Sequence, residues 1–160
     1  MVSDIHLKLG DIKGESTDDK HKDEIAVVAW AWKMTQPGSM GYGGGCGIGK
    51  VNFEDIVVTH NVDKASPNLM MACATGEHLK EATLTVRKAG KTPQEYLIIK
   101  LNDVIVTRVQ PSGNGSGDVP LEEFSLQFGK VDLEYKPQKP DGSLDAGIHF
   151  KYDQTTNTAG

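Results

Sequence analysis

Residues 65–109 read ASPNLMMACATGEHLKEATLTVRKAGKTPQEYLIIKLNDVIVTRV, a single short helix signal followed by strand signals. Ser66 stands where an N-cap hydroxyl belongs, Pro67 fits the first helical position, and Gly76 fits the left-handed residue past the helix end. Leu69 with Cys73, and Met70 with Ala74, are spaced i, i+4 on adjacent stripes. Such a helix has little polar surface and should lie on a sheet. From Ala82 the apolar period drops to two. Ala82–Lys88 alternates and 89–95 is a turn. Tyr96–Val109 places Leu97, Ile99, Leu101, Ile105 and Val109 on one face.

The flanks continue the β pattern. Residues 2–9 alternate loosely as a strand, and the polar run 10–24 is a loop. In Glu24–Met34, alternation puts Ile25, Val27, Ala29 and Ala31 on one face and Ala26, Val28, Trp30, Trp32 and Met34 on the other. Both faces are apolar, so a helix or a neighbouring subunit must supply the second cover. Residues 35–50 form a long glycine-rich loop, a length that in a compact domain is functional or disordered. Val51–Val62 is a β-branched strand. Residues 110–120 are a loop. In Leu121–Lys136 the apolar positions pass from even (Phe124, Leu126, Phe128) to odd (Val131, Leu133, Tyr135) at Gly129. A bulge or bend there keeps one side toward the core. Asp141-Gly142 marks a turn. Ile148, Phe150 and Tyr152 make a last strand, and 153–160 reads as a flexible polar tail. The expected fold is mainly β: seven or eight strands in a barrel-like or two-sheet arrangement, with one helix packed against it.

The whole chain, 1–160, fits one domain. Hydrophobic content of 38% and charged content of 24% lie in the globular range. A net charge of −5, with lysines and arginines scattered, argues against a nucleic-acid partner. No apolar run reaches the roughly 18 residues of a membrane span, so membrane insertion is not expected. Met1-Val-Ser-Asp-Ile-His-Leu-Lys8 lacks the basic and apolar regions of a secretory leader. Cys46 and Cys73 are too few for a disulfide framework and read as reduced packing thiols.

Catalytic and cofactor signals are thin. Gly44-Gly-Cys-Gly-Ile-Gly-Lys50 fits the first seven positions of a P-loop. The eighth, Val51, has no hydroxyl for magnesium and opens a strand where the motif needs a helix. His6, His21, His60, His78 and His149 have no zinc spacing. Asp18, Asp19, His21 and Asp23 read as a solvated charged loop. Glu122/Glu123 and Asp132/Glu134 alternate as solvent-face residues do. No cofactor, metal or catalytic residue is assigned, and enzymatic activity is not expected. The glycines at 38–49 suit an arm that bends and lies close to another backbone. Trp30 and Trp32 form either a buried core or interface face, or the ligand platform of a monomeric β-rich binding module. A β-rich hydrolase with a dispersed site is a third possibility that spacing leaves open.

Ser66-Pro-Asn-Leu-Met-Met-Ala-Cys-Ala-Thr-Gly76, the Gly76-Glu-His78 and Arg87-Lys-Ala-Gly90 turns, Tyr96-Leu97 and Asn102-Asp-Val-Ile-Val106 closely resemble the Hcp family. This is the haemolysin-coregulated protein of bacterial type VI secretion systems. Ala29-Trp-Ala-Trp32, Phe128-Gly-Lys-Val131 and Glu134-Tyr135 extend the resemblance along essentially the whole chain. It implies a fold similar to phage tail-tube proteins, six copies in a ring around a channel, and rings stacked into a tube. The implied partners are further copies, a spike protein at the tip, a contractile sheath and small effectors in the channel. It also implies synthesis in the cytoplasm and secretion without a signal peptide. The loop then becomes a contact arm, with Gly41, Tyr42, Gly43, Gly44, Gly45 and Cys46 at the interface between copies together with Trp30 and Trp32.

Overall fold

In chain order the alternating segments become β1 (Ser3–Leu9), β2 (Ile25–Ala26), β3 (Ala29–Ala31), β4 (Met34–Thr35), β5 (Asn52–Phe53), β6 (Ile56–Asn61), α1 (Ser66–Thr75), β7 (His78–Lys88), β8 (Gln94–Ser112), β9 (Leu121–Tyr135), β10 (Ile148–Asp153) and β11 (Thr158–Ala159). The structure is a computed structural model that describes residues 3–38 and 50–160. The Gly41–Cys46 stretch therefore lies outside the described residues.

The backbone of the fold is an antiparallel run, β1-β7-β8-β9. The far edge of β9 is shared: β6 pairs with its first half, and β10 with its second. The pass through β2 and β3 joins the two ends, because β2 pairs with β1 and β3 with β6. The hydrogen-bonded path thus returns to β9 in a barrel-like circuit. Its interior is filled by Leu7, Leu9, Ile25, Ile56, Val58, Leu84, Ile99, Leu101, Val104, Val106, Phe124, Leu126 and Phe128, all buried. Covering that apolar area is the main stabilising term.

The change of phase expected at Gly129 is realised and extended. Phe124, Leu126 and Phe128 face inward before Gly129, and Val131 faces inward after it. The register with β8 runs unbroken from Leu97↔Tyr135 to Val106↔Leu126, so the cause is a bend without an inserted residue. β8 bends at the same level. Asp103, with φ 56°, takes the left-handed conformation that Asp tolerates better than most residues. A Cβ on Gly129 would sit 3.2 Å from the Asp103 Cβ, so the glycine is what lets the two bends face each other. The face expected for β8 is corrected accordingly: beyond Asp103 the buried residues are Val104 and Val106, and Ile105 is only half-buried.

The Glu24–Met34 strand is also corrected. Val27 N–H donates to Ile5 O at 2.9 Å, and the next residue, Val28, donates to Thr59 O at 2.8 Å. The chain changes partner strands between these residues, and alternation slips by one. Val28 and Ala29 both face out, and Trp30 and Trp32 then turn in. One side of this segment is covered and the other is bare. The helix does not cover it, because α1 lies against β8 with Leu69 and Ala72 buried. Ser66 is the first helical residue and not the N-cap. Its Oγ accepts from Asp63 N–H at 3.1 Å, while Ala65 holds the cap position. Gly76 closes the helix as expected, with φ 67°. The C-terminal residues turn back, pairing Thr158 with Asp153 and Ala159 with Tyr152.

Candidate assembly surface

Trp30 and Trp32 are half-buried and packed against the core. Trp32 stacks on Phe53 with centroids 5.9 Å apart and meets Phe128 edge-on at 5.7 Å. Phe150 and Tyr152 complete this aromatic cluster. The indole N–H donates to Glu54 O at 3.1 Å. Trp32 therefore does not offer a free ring as a ligand platform. Its cluster fixes β5, and with it the β4–β5 ladder (Met34↔Phe53, Thr35↔Asn52) from which the 35–50 loop departs. Val51 leads into this strand and not into a helix, so the local structure after Lys50 is not that of a P-loop.

Among the described residues, stretches of strand edge stay without a ladder partner in more than one place. On β10, the outer edge of Ile148–Phe150 has no ladder partner among the described residues, since β11 reaches only Tyr152 and Asp153. On β8, residues 106–112 pair only with β9, since the β7 ladder ends at Ile105, whereas β1 is taken up on both sides except near its start, where β2 covers His6 and Leu7 and Val27 N–H reaches Ile5 O. Large apolar side chains stand exposed at several places. Ile148, 64% exposed, neighbours Tyr135 across the β9–β10 ladder. Val28 lies on the bare side of the β2–β3 pass, Met34 stands on the stem of the loop, and Met71 projects from α1.

The charged residues are more organised than alternation implies. Glu122 is not on the solvent face. It is wholly buried in the barrel, with Oε1 2.8 Å from Nε2 of the equally buried His60. Asp18 and His21 do not belong to a solvated loop. Arg87, 4% exposed, donates to Asp18, and this bond holds the Asp18 carboxyl down at about 2. The same contact raises the Arg87 guanidinium further. His21 lies between Glu24 and Glu95 and stacks on His6. Burial, then the neighbouring His21 and Arg87, pushes His6 below the usual imidazole range. His149 spans Asp132 at 2.8 Å and Glu134 at 3.2 Å. Spacing could not reveal these sets, because each joins residues far apart along the chain. The one usable signal was that His6, Thr85 and Arg87 each occupy the polar phase of an alternating strand. Among the described residues no group of three or more His, Cys, Asp or Glu is placed to hold a metal. No helix among them is long and apolar enough to cross a membrane.

Comparison with known proteins agrees with this architecture. The family model described as "Type VI secretion system effector, Hcp" matches residues 6–135. Protein hcp1 of Pseudomonas aeruginosa is 51% identical over 148 residues, spanning 92% of this chain and 91% of that protein. The crystal structure of Hcp1 from Salmonella typhimurium superposes with a TM-score of 0.83 at 40% identity, over all of both chains. A structure described as a type six secretion system protein gives a TM-score of 0.92 at 31% identity, over 99% of this chain and 100% of that one. The mainly β, barrel-like fold with one helix is thus the fold of these proteins, and the chain belongs to the Hcp family of type VI secretion system proteins.

Proposed function

We propose that this chain is the tube subunit of a type VI secretion system, in which six copies close head to tail into a ring and rings stack into a tube. The observation that carries this reading is a pair of unlike uncovered surfaces, the outer edge of β10 and the bare side of the β2–β3 pass, in a chain that is Hcp-like along its length. A head-to-tail ring needs two different complementary surfaces on each copy, and these surfaces supply candidates. The bare side of the β2–β3 pass, with Val28, Ala29 and Ala31 exposed, adds apolar surface that a neighbour can cover. Gly41, Tyr42, Gly43, Gly44, Gly45 and Cys46 form the contact arm. Trp32 anchors the stem of that arm through Phe53, and Trp30 holds the preceding strand on the core.

In this role the protein is made in the cytoplasm, loaded with small effector proteins in the ring channel, and expelled with a spike protein at its tip by a contractile sheath. It acts by assembly and not by catalysis. The test is negative-stain electron microscopy with light scattering on the purified protein and on a chain lacking Tyr42–Cys46. The expected result is rings of about six subunits for the complete chain, and weakened assembly for the deletion. A strict monomer at high concentration overturns the ring, and unchanged assembly of the deletion overturns the arm.

A further inference from the structure

The segment 12–24 lies over the outer face of the β1–β7–β8 sheet and is held there mostly by titratable side chains. Across the ladder His6 pairs with Thr85, and Asp4 with Arg87. Thr85 pairs in turn with Ile98, and Arg87 with Glu95. Leu7 and Leu84 face the barrel, so these residues one step along point away from it. Yet His6, Thr85 and Arg87 are buried, as are Ser16 and His21 above them. The segment folds on itself through Gly14 N–H to Asp23 O at 2.8 Å and Ser16 N–H to Glu24 O at 3.0 Å.

Two latches close it. Arg87 donates to Asp18, with Asp4 Oδ2 a further 3.6 Å from its Nε. His21 puts Nδ1 3.0 Å from Glu24 Oε1 and Nε2 2.8 Å from Glu95 Oε1. Both ring nitrogens of His21 are thereby taken up by carboxylate oxygens. His6 lies flat on that ring, with centroids 4.7 Å apart and planes 7° from parallel. Its own Nδ1 is buried and meets no hydrogen-bond partner. The charged groups around His6 are therefore His21, Asp18 and Glu24 from the segment, Arg87 from β7, Glu95 from β8 and Asp4 from its own strand. The carboxylates are already engaged by Arg87 and His21. A proton on His6 adds a cation face to face with His21, near Arg87, in a buried layer where its Nδ1 meets no acceptor.

We propose that residues 12–24 form an acid-loosened strap: protonation of His6 drives His21 off its ring and opens the His21 latch, while the Arg87–Asp18 latch and the barrel stay closed. β2 follows the strap directly and pairs Ala26 with His6 and Ile25 with Leu7, so release also loosens the β1–β2 seam. The depressed protonation of His6 agrees in sign. A histidine that resists protonation in the closed state favours closure above its ordinary 6.5 and loses that contribution as pH falls below it. Asp18, held at about 2, stays ionised at mildly acidic pH, so the Arg87 latch does not open in the same window.

Hydrogen-exchange mass spectrometry on the full chain at about pH 7 and about pH 5, corrected for intrinsic rates, tests this. Peptides covering 12–26 should exchange several-fold faster at the lower pH, with β8–β9 peptides unchanged. His6→Phe keeps a ring on His21 and removes the proton site, so it should abolish the acceleration. Equal exchange at the two pH values, or acceleration that persists in His6→Phe, overturns the proposal. Should that variant fail to fold, NMR titration of the His6 ring in the unaltered protein decides. A midpoint below 6.5 supports the strap, and one at or above 6.5 overturns it.

Discussion

The two faces of the β1–β7–β8 sheet are covered by opposite means. On the barrel face Leu7, Leu84 and Ile99 stand in register across three strands, and each is buried by other apolar side chains. One residue along, on the outer face, His6 and Thr85 stand in register and are buried too, but by Ser16, His21 and a network of charges. The same ladder therefore carries a dry layer and a titratable layer one strand-thickness apart. Dispersion and desolvation hold the first, which is insensitive to pH and costly to disturb. The second depends on proton counts and on a few short contacts, so it should open alone.

The largest effect expected from breaking this contrast is on the barrel face. Ile99 is wholly buried, and Ile99→Ala leaves a cavity in the middle of the longest ladder. We expect a loss of about 2–5 kcal/mol, read as a lower urea midpoint for global unfolding. All probes should move together, because the barrel core is one contiguous cluster. A loss confined to the strap would show that the two layers are not separate.

A middle-sized effect should fall on the strap only. A Cβ on Gly14 would sit 2.5 Å from Glu24 O and 2.7 Å from Ile25 Cα. Both are backbone atoms, so Gly14→Ala must push the two limbs of the strap apart. The cost is about 1–3 kcal/mol. It should appear as faster exchange in peptides over 12–26, with the urea midpoint of the barrel little changed. An equal fall in that midpoint would mean that the strap is part of the barrel's cooperative unit.

What the sequence disclosed follows the same division. Signals carried by neighbouring residues were legible: the helix and its Gly76 terminator, the strand periods, and the change of phase at Gly129. Signals that need a partner far along the chain were not. Asp103 bends β8 because Gly129 bends β9 opposite it, and nothing within Tyr96–Val109 announces that. The unbroken apolar run within Glu24–Met34 concealed a change of partner strand, since one residue's slip at Val28 exposes Val28 and Ala29 together. Glu122 looked like a solvent-face carboxylate because His60, which takes it into the barrel, is 62 residues away. The strap is the extreme case. Its composition is that of a solvated loop, and only the positions of His6, Arg87 and Glu95 on three strands convert it into a covering layer. The bare β2–β3 surface was hinted at by the two apolar faces of one segment, although the pattern alone left open whether a helix or another copy covers it.

The smallest effect, and the sharpest in its pH dependence, concerns Asp18. Arg87 holds its carboxyl at about 2, against 3.8 for the unperturbed group. The folded chain therefore binds this proton less readily than the unfolded one. The contribution of Asp18 is fully present above about 3.8 and fades as pH falls through about 2. Asp18→Asn removes the charge and with it this dependence. At neutral pH the variant should be modestly less stable, with its strap peptides exchanging faster. On acidification toward pH 2 the unaltered protein loses its advantage and the urea midpoints of the two should converge. This window lies well below the one in which His6 acts, so the two latches of the strap can be opened in sequence by acid alone. A gap between the midpoints that stays constant down to pH 2 would place the value of Asp18 in its shape and its backbone contacts with Lys20 and His21 rather than in its charge.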